Sequence, residues 1–324
     1  MHFVQRSFGA AITAAGILGT ASLANGATIA SDPFLAGTTP ANGEYAANPA
    51  LIVGAGGVGQ NPTIAGFTGP WVGNNATNSV QQWGVFEPSI NVPDATGGRA
   101  RFNGFGTTDP TVQRRVHRTL TAYAPSSTYY FSIVSQVQAG DQNGSGFVGA
   151  GFTGAGTDGV FAGSVDNLRG LLVGSSATGT SSSNLVIRHR DQTSPGVFGT
   201  TDRVIITNVA DQAVNRLIIK LEVNAVGGNQ ERVTVWVNPT DISSEAAAST
   251  SVTPISFLDY SMTTSSDITQ LTLTGINHSK VGSFDEMRFG TTFADVTGAA
   301  AVPEPAGLAM LALSGLAMLR RQRA

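Results

Sequence analysis

The chain contains no cysteine. That absence excludes a disulfide framework, thiolate metal ligation and thiol catalysis, so stability has to come from a buried core. Charge is scarce as well. Only 12% of the 324 residues are Asp, Glu, Lys or Arg, and the formal net charge is −3. No basic block lies inside the body of the chain. Nucleic acid is therefore not an expected partner, because phosphate binding needs clustered Lys and Arg. Histidine is limited to His2, His117, His189 and His278, too dispersed for a zinc site. No part of the body carries an apolar stripe at helical spacing. Glycine, in contrast, is abundant: 40 residues, with 14 prolines. Both are poor in helix interiors, so the composition points to strands and turns.

The two ends read as processing segments. Met1-His2-Phe3-Val4-Gln5-Arg6 is a weakly basic start, an apolar run follows from Phe8 to Leu23, and Ala24-Asn25-Gly26-Ala27 offers small residues for signal peptidase. Residues 1–26 are assigned as a signal peptide forming an N-terminal helix. At the other end, Val302-Pro303-Glu304-Pro305 precedes an apolar run from Ala306 to Leu319, and Arg320, Arg321 and Arg323 follow. Cations beside an apolar segment favour the cytoplasmic side of a membrane. As a helix the run spans about 21 Å, against about 30 Å of bilayer hydrocarbon.

Between the ends, residues 27–297 read as one all-β domain. Ser31–Trp83 is loop-rich. A period-2 pattern then sets in over Thr128–Gln138, Leu185–Arg190 and Arg203–Val209. It is clearest from Leu217 to Val237. Leu217, Ile219, Leu221 and Val223 share one face, Lys220, Glu222 and Asn224 the other, and Val233, Val235 and Val237 line the return strand. Gly227-Gly228-Asn229 supplies the turn, and Pro239 ends the hairpin. Leu271 with Leu273, and Met287 with Phe289, mark two further strands. Ser243–Ala248 is the one helical candidate. Many short strands separated by turn residues suggest a sandwich or a barrel.

Leu51-Ile52-Val53-Gly54-Ala55-Gly56-Gly57-Val58-Gly59 has the spacing of a dinucleotide-binding turn. Pro62, Gly66, Gly69 and Pro70 prevent the helix that motif needs, and no acidic residue lies between Glu44 and Glu87. It reads as a glycine-rich loop. No G-x-S-x-G or H-E-x-x-H is present. None of Glu44, Glu87, Glu222, Glu231, Glu245, Glu286 and Glu304 has Asp two positions later, so the paired carboxylates of sandwich-fold glucanases are missing. Asp141-Gln142-Asn143-Gly144-Ser145 places oxygens at alternate positions as calcium loops do, without the closing Glu. No cofactor beyond such a structural calcium is expected, and no metal ligands are assigned. Arg115 and His117 fall on one side of a strand with Gln113 and Thr119. That row is either a glycan contact or the solvated side of a sheet. Trp71, Trp83 and Trp236 are the aromatic platforms on offer, with Trp236 pointing away from the valine face.

Pro303-Glu304-Pro305, the apolar run and the arginine cluster together resemble the PEP-CTERM sorting signal, over Val302–Ala324. The resemblance implies a precursor held in the inner membrane, cleaved by an exosortase-type protease, and delivered to the cell surface or extracellular matrix in association with exopolysaccharide. Residues 298–324 are assigned to this sorting tail, ending in a short transmembrane-like helix. Leu217–Val223 with Arg232–Pro239, and Phe284–Val296 as a closing strand, resemble LamG-like, concanavalin A-like domains. That resemblance implies a two-sheet antiparallel jelly-roll sandwich. With no catalytic residues assigned, the sequence reads as a non-enzymatic surface protein, structural or adhesive and a binder of extracellular polysaccharide. The alternative is a divergent polysaccharide hydrolase or lyase on the same fold.

Overall fold

The computed structural model describes residues 28–298 except 38, 43, 47–58, 74–82, 87–89, 91–97, 103–112, 138–146, 155–169, 178–182, 195–196, 211, 228–229, 260–267 and 277–281. The signal-peptide and calcium-like segments, the sorting tail beyond Gly298, and the glycine run up to Val58 lie outside the described residues. Gly59 is described, and its N–H donates to the Trp71 carbonyl, 2.7 Å.

Two antiparallel sheets make the body. The first contains β1 (Thr28–Asp32), β5 (Trp83–Phe86), β6 (Arg99–Phe102), β8 (Thr128–Val137), β13 (Val214–Glu222), β14 (Glu231–Val237), β15 (Ile255–Asp259) and β17 (Gly282–Gly290). Its order is β15-β14-β13-β8-β17-β6-β5, with β1 also paired to β17. The second contains β4 (Phe67–Gly73), β7 (Gln113–Leu120), β9 (Phe147–Thr153), β10 (Gly170–Ala177), β11 (Ser183–Ser194), β12 (Val197–Ile206) and β16 (Gln270–Ile276). Its order is β12-β11-β10-β9-β16-β7-β4. A small parallel pair, β2 (Ala36–Gly37) and β3 (Tyr45–Ala46), lies in the N-terminal part.

The alternation read from the sequence holds in the central hairpin. Leu217, Ile219 and Leu221 pair with Val237, Val235 and Val233. The inward residues of both sheets merge into one core, as face-to-face packing requires. At its middle, Phe131 of β8 and Phe289 of β17 stack at 5.1 Å, and Phe152 of β9 lies 5.0 Å from Phe289 across the sandwich.

Part of the outer face of the first sheet is covered as well. Helix α1 (Glu245–Ser251) is capped by Ser244, which accepts from the Ala247 N–H. Glu245 accepts from the Tyr130 hydroxyl at 2.6 Å and pairs with Lys220 at 3.1 Å. Helix α2 (Phe293–Thr297) starts in a capping box between Thr292 and Asp295 and stops at Gly298, whose φ of +69° glycine adopts without strain. The expected closing strand through Val296 is thus corrected. The strand ends at Gly290, because Thr292-x-x-Asp295 caps a helix turn. Phe293 packs edge-on against Tyr130 and Trp236, and these rings form a second cluster with Ile218, Ala248 and Val296.

β17 carries a bulge between Asp285 and Arg288, with Glu286 at φ +47°. The extra residue lets Phe284, Met287 and Phe289 all face the core. Asp285 is buried and accepts from the N–H groups of Glu286 and Ile90. Burial raises its pKa to about 8 against these hydrogen bonds.

Two predictions follow from this packing. Val235→Asp places a charge on the inner face and should cost at least about 3 kcal/mol, whereas Thr234→Asp, on the other face opposite Lys220, should cost far less. Equal melting temperatures for the two variants would refute the facing. The second concerns Asp285, which holds a proton in the folded state that the unfolded chain releases near pH 4. Its contribution to stability is therefore complete at acid pH and is lost as pH rises to about 8. Asp285→Asn should remove that part of the pH slope in melting experiments.

Candidate functional site

Helices cover part of the first sheet's outer face; Arg115 and His117 lie on the outer face of the second. Its inward residues are fixed by the core: Val116 on β7, Leu271 and Leu273 on β16, Ala150 and Phe152 on β9, Leu171 and Val173 on β10, Leu185 and Ile187 on β11. The alternate residues form the other face. The pairing registers align them in rows across the strands. One row runs His117, Thr272, Gly151, Leu172, Arg188, Asp202, and the next runs Arg115, Thr274, Gly149, Gly174, Val186, Val204.

The face has two unlike ends. On the β9–β11 side, Phe147, Leu172 and Val186 form a small apolar cluster. The Arg188 guanidinium lies 3.9 Å over the Phe147 ring and binds both carboxylate oxygens of Asp202, at 2.6 and 2.8 Å. This pair is satisfied and stacked. Between the ends, a Cβ at Gly151 would collide with the Leu171 carbonyl, and one at Gly174 with that of Val148. Glycine is therefore required where these strands approach.

The β7–β16 end is polar. Arg115 is buried and His117 half-buried. Burial, and then the nearby Arg115 charge, lower the His117 pKa to about 4, so the imidazole is neutral at neutral pH. Thr272 is opposite His117 and Thr274 opposite Arg115. The Thr274 hydroxyl is fully buried with no hydrogen-bond partner among the described residues, a costly state for a polar group. Gln270 donates to Thr153 Oγ1 at 3.3 Å and to the Gly154 carbonyl at 3.2 Å, and the Thr153 and Thr272 hydroxyls are 2.7 Å apart.

Beneath β7 lies a buried polar network. Arg118, the inward neighbour of His117, donates to the Tyr45 hydroxyl at 3.4 Å, to the Gly69 and Pro62 carbonyls and to Asn61. Tyr45 donates to Asp32 at 2.5 Å and accepts from the Trp71 indole at 3.1 Å. Asp32 is pushed up to about 6 by burial, against the pull of Tyr45, the Phe34 amide and Arg118.

Arg115 and His117 therefore share one strand face, with Thr272, Thr274 and Gln270 beside them. Those three residues were not singled out from the sequence, since only register reveals them. Trp236 is withdrawn as a glycan platform. It is 1% exposed, lies under α1 and α2, and donates to Ser249 at 3.0 Å. Trp71 is core. Trp83 lies in β5, its side chain outside the described residues, as are Val302, Pro303, Glu304, Pro305, Arg320, Arg321 and Arg323. Among the described residues no group of three or more His, Cys, Asp and Glu is placed to hold a metal, and no helix is long and apolar enough to cross a membrane.

The architecture defines a two-sheet antiparallel jelly-roll sandwich. No family profile and no curated relative matches the chain. Solved structures with this fold do. An endo-β-1,4-glucuronan lyase from Trichoderma reesei is 14% identical, with a TM-score of 0.43, covering 68% of this chain and 91% of its own. An alginate lyase from Aplysia kurodai is 10% identical, with a TM-score of 0.41, covering 64% and 86%. The Emp47p carbohydrate recognition domain is 10% identical, with a TM-score of 0.37, covering 65% and 89%. The reading of the chain as non-enzymatic is corrected here: the solved structures to which it is similar include polysaccharide lyases.

The His117 environment makes a stability prediction of its own. The unfolded imidazole binds its proton near pH 6.5, the folded one only near 4. The stability it contributes is whole above about 6.5 and is lost as pH falls through 4. His117→Asn should flatten that acid limb, and an unchanged acid limb would count against a neutral, half-buried imidazole.

Proposed function

We propose that this protein is an exported, surface-delivered polysaccharide-processing protein that takes an acidic polysaccharide at the β7–β16 end of the second sheet and cleaves it by β-elimination. The observation that carries this reading is the placement of Arg115 and neutral His117 side by side, next to the buried Thr274 hydroxyl, which has no hydrogen-bond partner among the described residues.

The chemistry follows from those groups. Arg115 binds the uronate carboxylate and lowers the cost of removing the proton at the adjacent carbon. His117 accepts that proton. The ring C–H and the glycosidic C–O bonds break, a C=C double bond forms, and the imidazolium returns the proton to the departing oxygen. Burial is the larger cause of the lowered His117 pKa and the Arg115 charge the smaller; a carboxylate bound at Arg115 offsets the second, making His117 a better base when substrate is present. Hydrolysis, the competing reaction, needs two carboxyl groups flanking the bond. Among the described residues this face carries Asp202, already paired with Arg188.

The test is turnover on polyuronates, followed through the ultraviolet absorbance of the unsaturated product. Arg115→Ala and His117→Ala should each lower kcat/KM at least ~100-fold in folded protein. Retained turnover in both would refute the assignment, as would a reducing end released without a double bond. Delivery rests on the resemblance of Val302–Ala324 to the PEP-CTERM signal, with signal peptidase and an exosortase-type protease as partners and the inner membrane as way station. Mass spectrometry of the mature protein from its own cells should find a C-terminus upstream of Arg320. A mature form retaining Arg323 would end this part of the reading.

A further inference from the structure

A second chemistry is available at the seam between β9 and β16. Thr153 and Gln270 are direct cross-strand partners. Thr153 is fully buried and Gln270 almost so. Their side chains meet at 3.3 Å, and Thr153 Oγ1 is also 2.7 Å from Thr272 Oγ1. The backbone around the pair is fixed, with the Thr269 N–H bonded to the Thr153 carbonyl and the Leu120 N–H to the Thr269 carbonyl. Nucleophile, acyl group and a proton-carrying hydroxyl are thus held together in a water-poor site.

We propose that Thr153 and Gln270 form an intramolecular ester that staples β9 to β16. Thr153 Oγ1 attacks the Gln270 side-chain carbonyl carbon. The new C–O bond forms, the C–N bond breaks, and the hydroxyl proton passes to the departing nitrogen with Thr272 Oγ1 as the bridging group. One ammonia leaves, and no oxidant, reductant or co-reactant is required. In the hydrogen-bonded state the amide lies edge-on to the hydroxyl, so it must rotate about its terminal torsion to present its face. That torsion has a broad, shallow profile in glutamine. An amide is a poor acyl donor in open solution. Pre-positioning is worth effective molarities of about 10⁵–10⁸ M, escape of ammonia to solvent draws the step forward, and burial protects the ester from hydrolysis. The product is a covalent cross-link in a chain that contains no cysteine to make one. This inference is independent of the polysaccharide reading, because it needs no ligand and uses neither Arg115 nor His117.

The experiment is peptide mapping of the full-length protein after complete denaturation and digestion. The expected result is one linked peptide pair containing Thr153 and Gln270, lighter than the two separate peptides by one ammonia, and separated by hydroxylamine. Thr153→Val and Gln270→Leu should each abolish the linked pair while keeping the β-type circular dichroism spectrum, and Thr272→Val should slow its appearance in freshly made protein. Only separate, unmodified peptides in aged wild-type protein would overturn the proposal. So would ammonia loss that persists in Thr153→Val, which would place the loss elsewhere.

Discussion

The arrangement around the candidate site depends on how one buried cation is satisfied. Arg118 points into the sandwich from β7, where an uncompensated charge would be prohibitive. It is surrounded by carbonyl oxygens, Asn61 and the Tyr45 hydroxyl, with Asp32 one hydrogen bond further on. Its guanidinium also lies 5.2 Å over the Phe67 ring. Every one of these partners comes from the N-terminal part of the chain. The network therefore converts a glycine- and threonine-rich stretch with little patterning into a clamp on β7. Because side chains alternate, holding Arg118 inward fixes His117 and Arg115 on the opposite face.

The first sheet shows the reverse solution. Its inner face meets the second sheet, and part of its outer face is sealed by two short helices over Ile218, Trp236 and Tyr130. Beside these rings, Ser132, Arg216, Glu286 and Arg288 line a small pocket with Ile218 and Val296. The proposed site lies on the other sheet, where glycines at 149, 151 and 174 let neighbouring strands approach.

Much of this architecture was legible in the sequence, because alternation is a strong local signal wherever one face is buried. Thr128–Val137, the Leu217–Val237 hairpin and the Leu271 and Phe289 strands all sit where their periodicity puts them. The short helix was also legible, as the Ser243–Ala248 candidate; it forms at Glu245–Ser251 behind the Ser244 cap. What escaped was non-local. Trp236 looked outward because Thr234 and Lys220 do share its side, and nothing in the alternation says that a helix ten residues later folds back over it. Ile218 was the available hint, an apolar residue on the supposedly polar face. The closing strand was extended too far because Phe293 and Val296 continue an apolar rhythm that is helical, behind Thr292 and Asp295. Of the site, Arg115 and His117 were visible as an i, i+2 pair. Thr274, Thr272 and Gln270 became neighbours only through a register set 150 residues later in the chain.

The bulge at Asp285–Glu286 divides β17 into two half-strands of opposite phase. Upstream of it, even-numbered residues face the core, as Phe284 does; downstream, odd-numbered ones do, as Met287 and Phe289 do. The bulge is what lets both halves share one core: without it the full-length strand would turn Met287 and Phe289 away from the stacked rings of Phe131 and Phe152 and bring Arg288 towards them. Loss of the extra residue itself would restore plain alternation, with Phe284, Met287 and Phe289 still on one face. A one-residue change of length is therefore absorbed at the bulge, whereas the same change within either regular half-strand would invert every side chain beyond it.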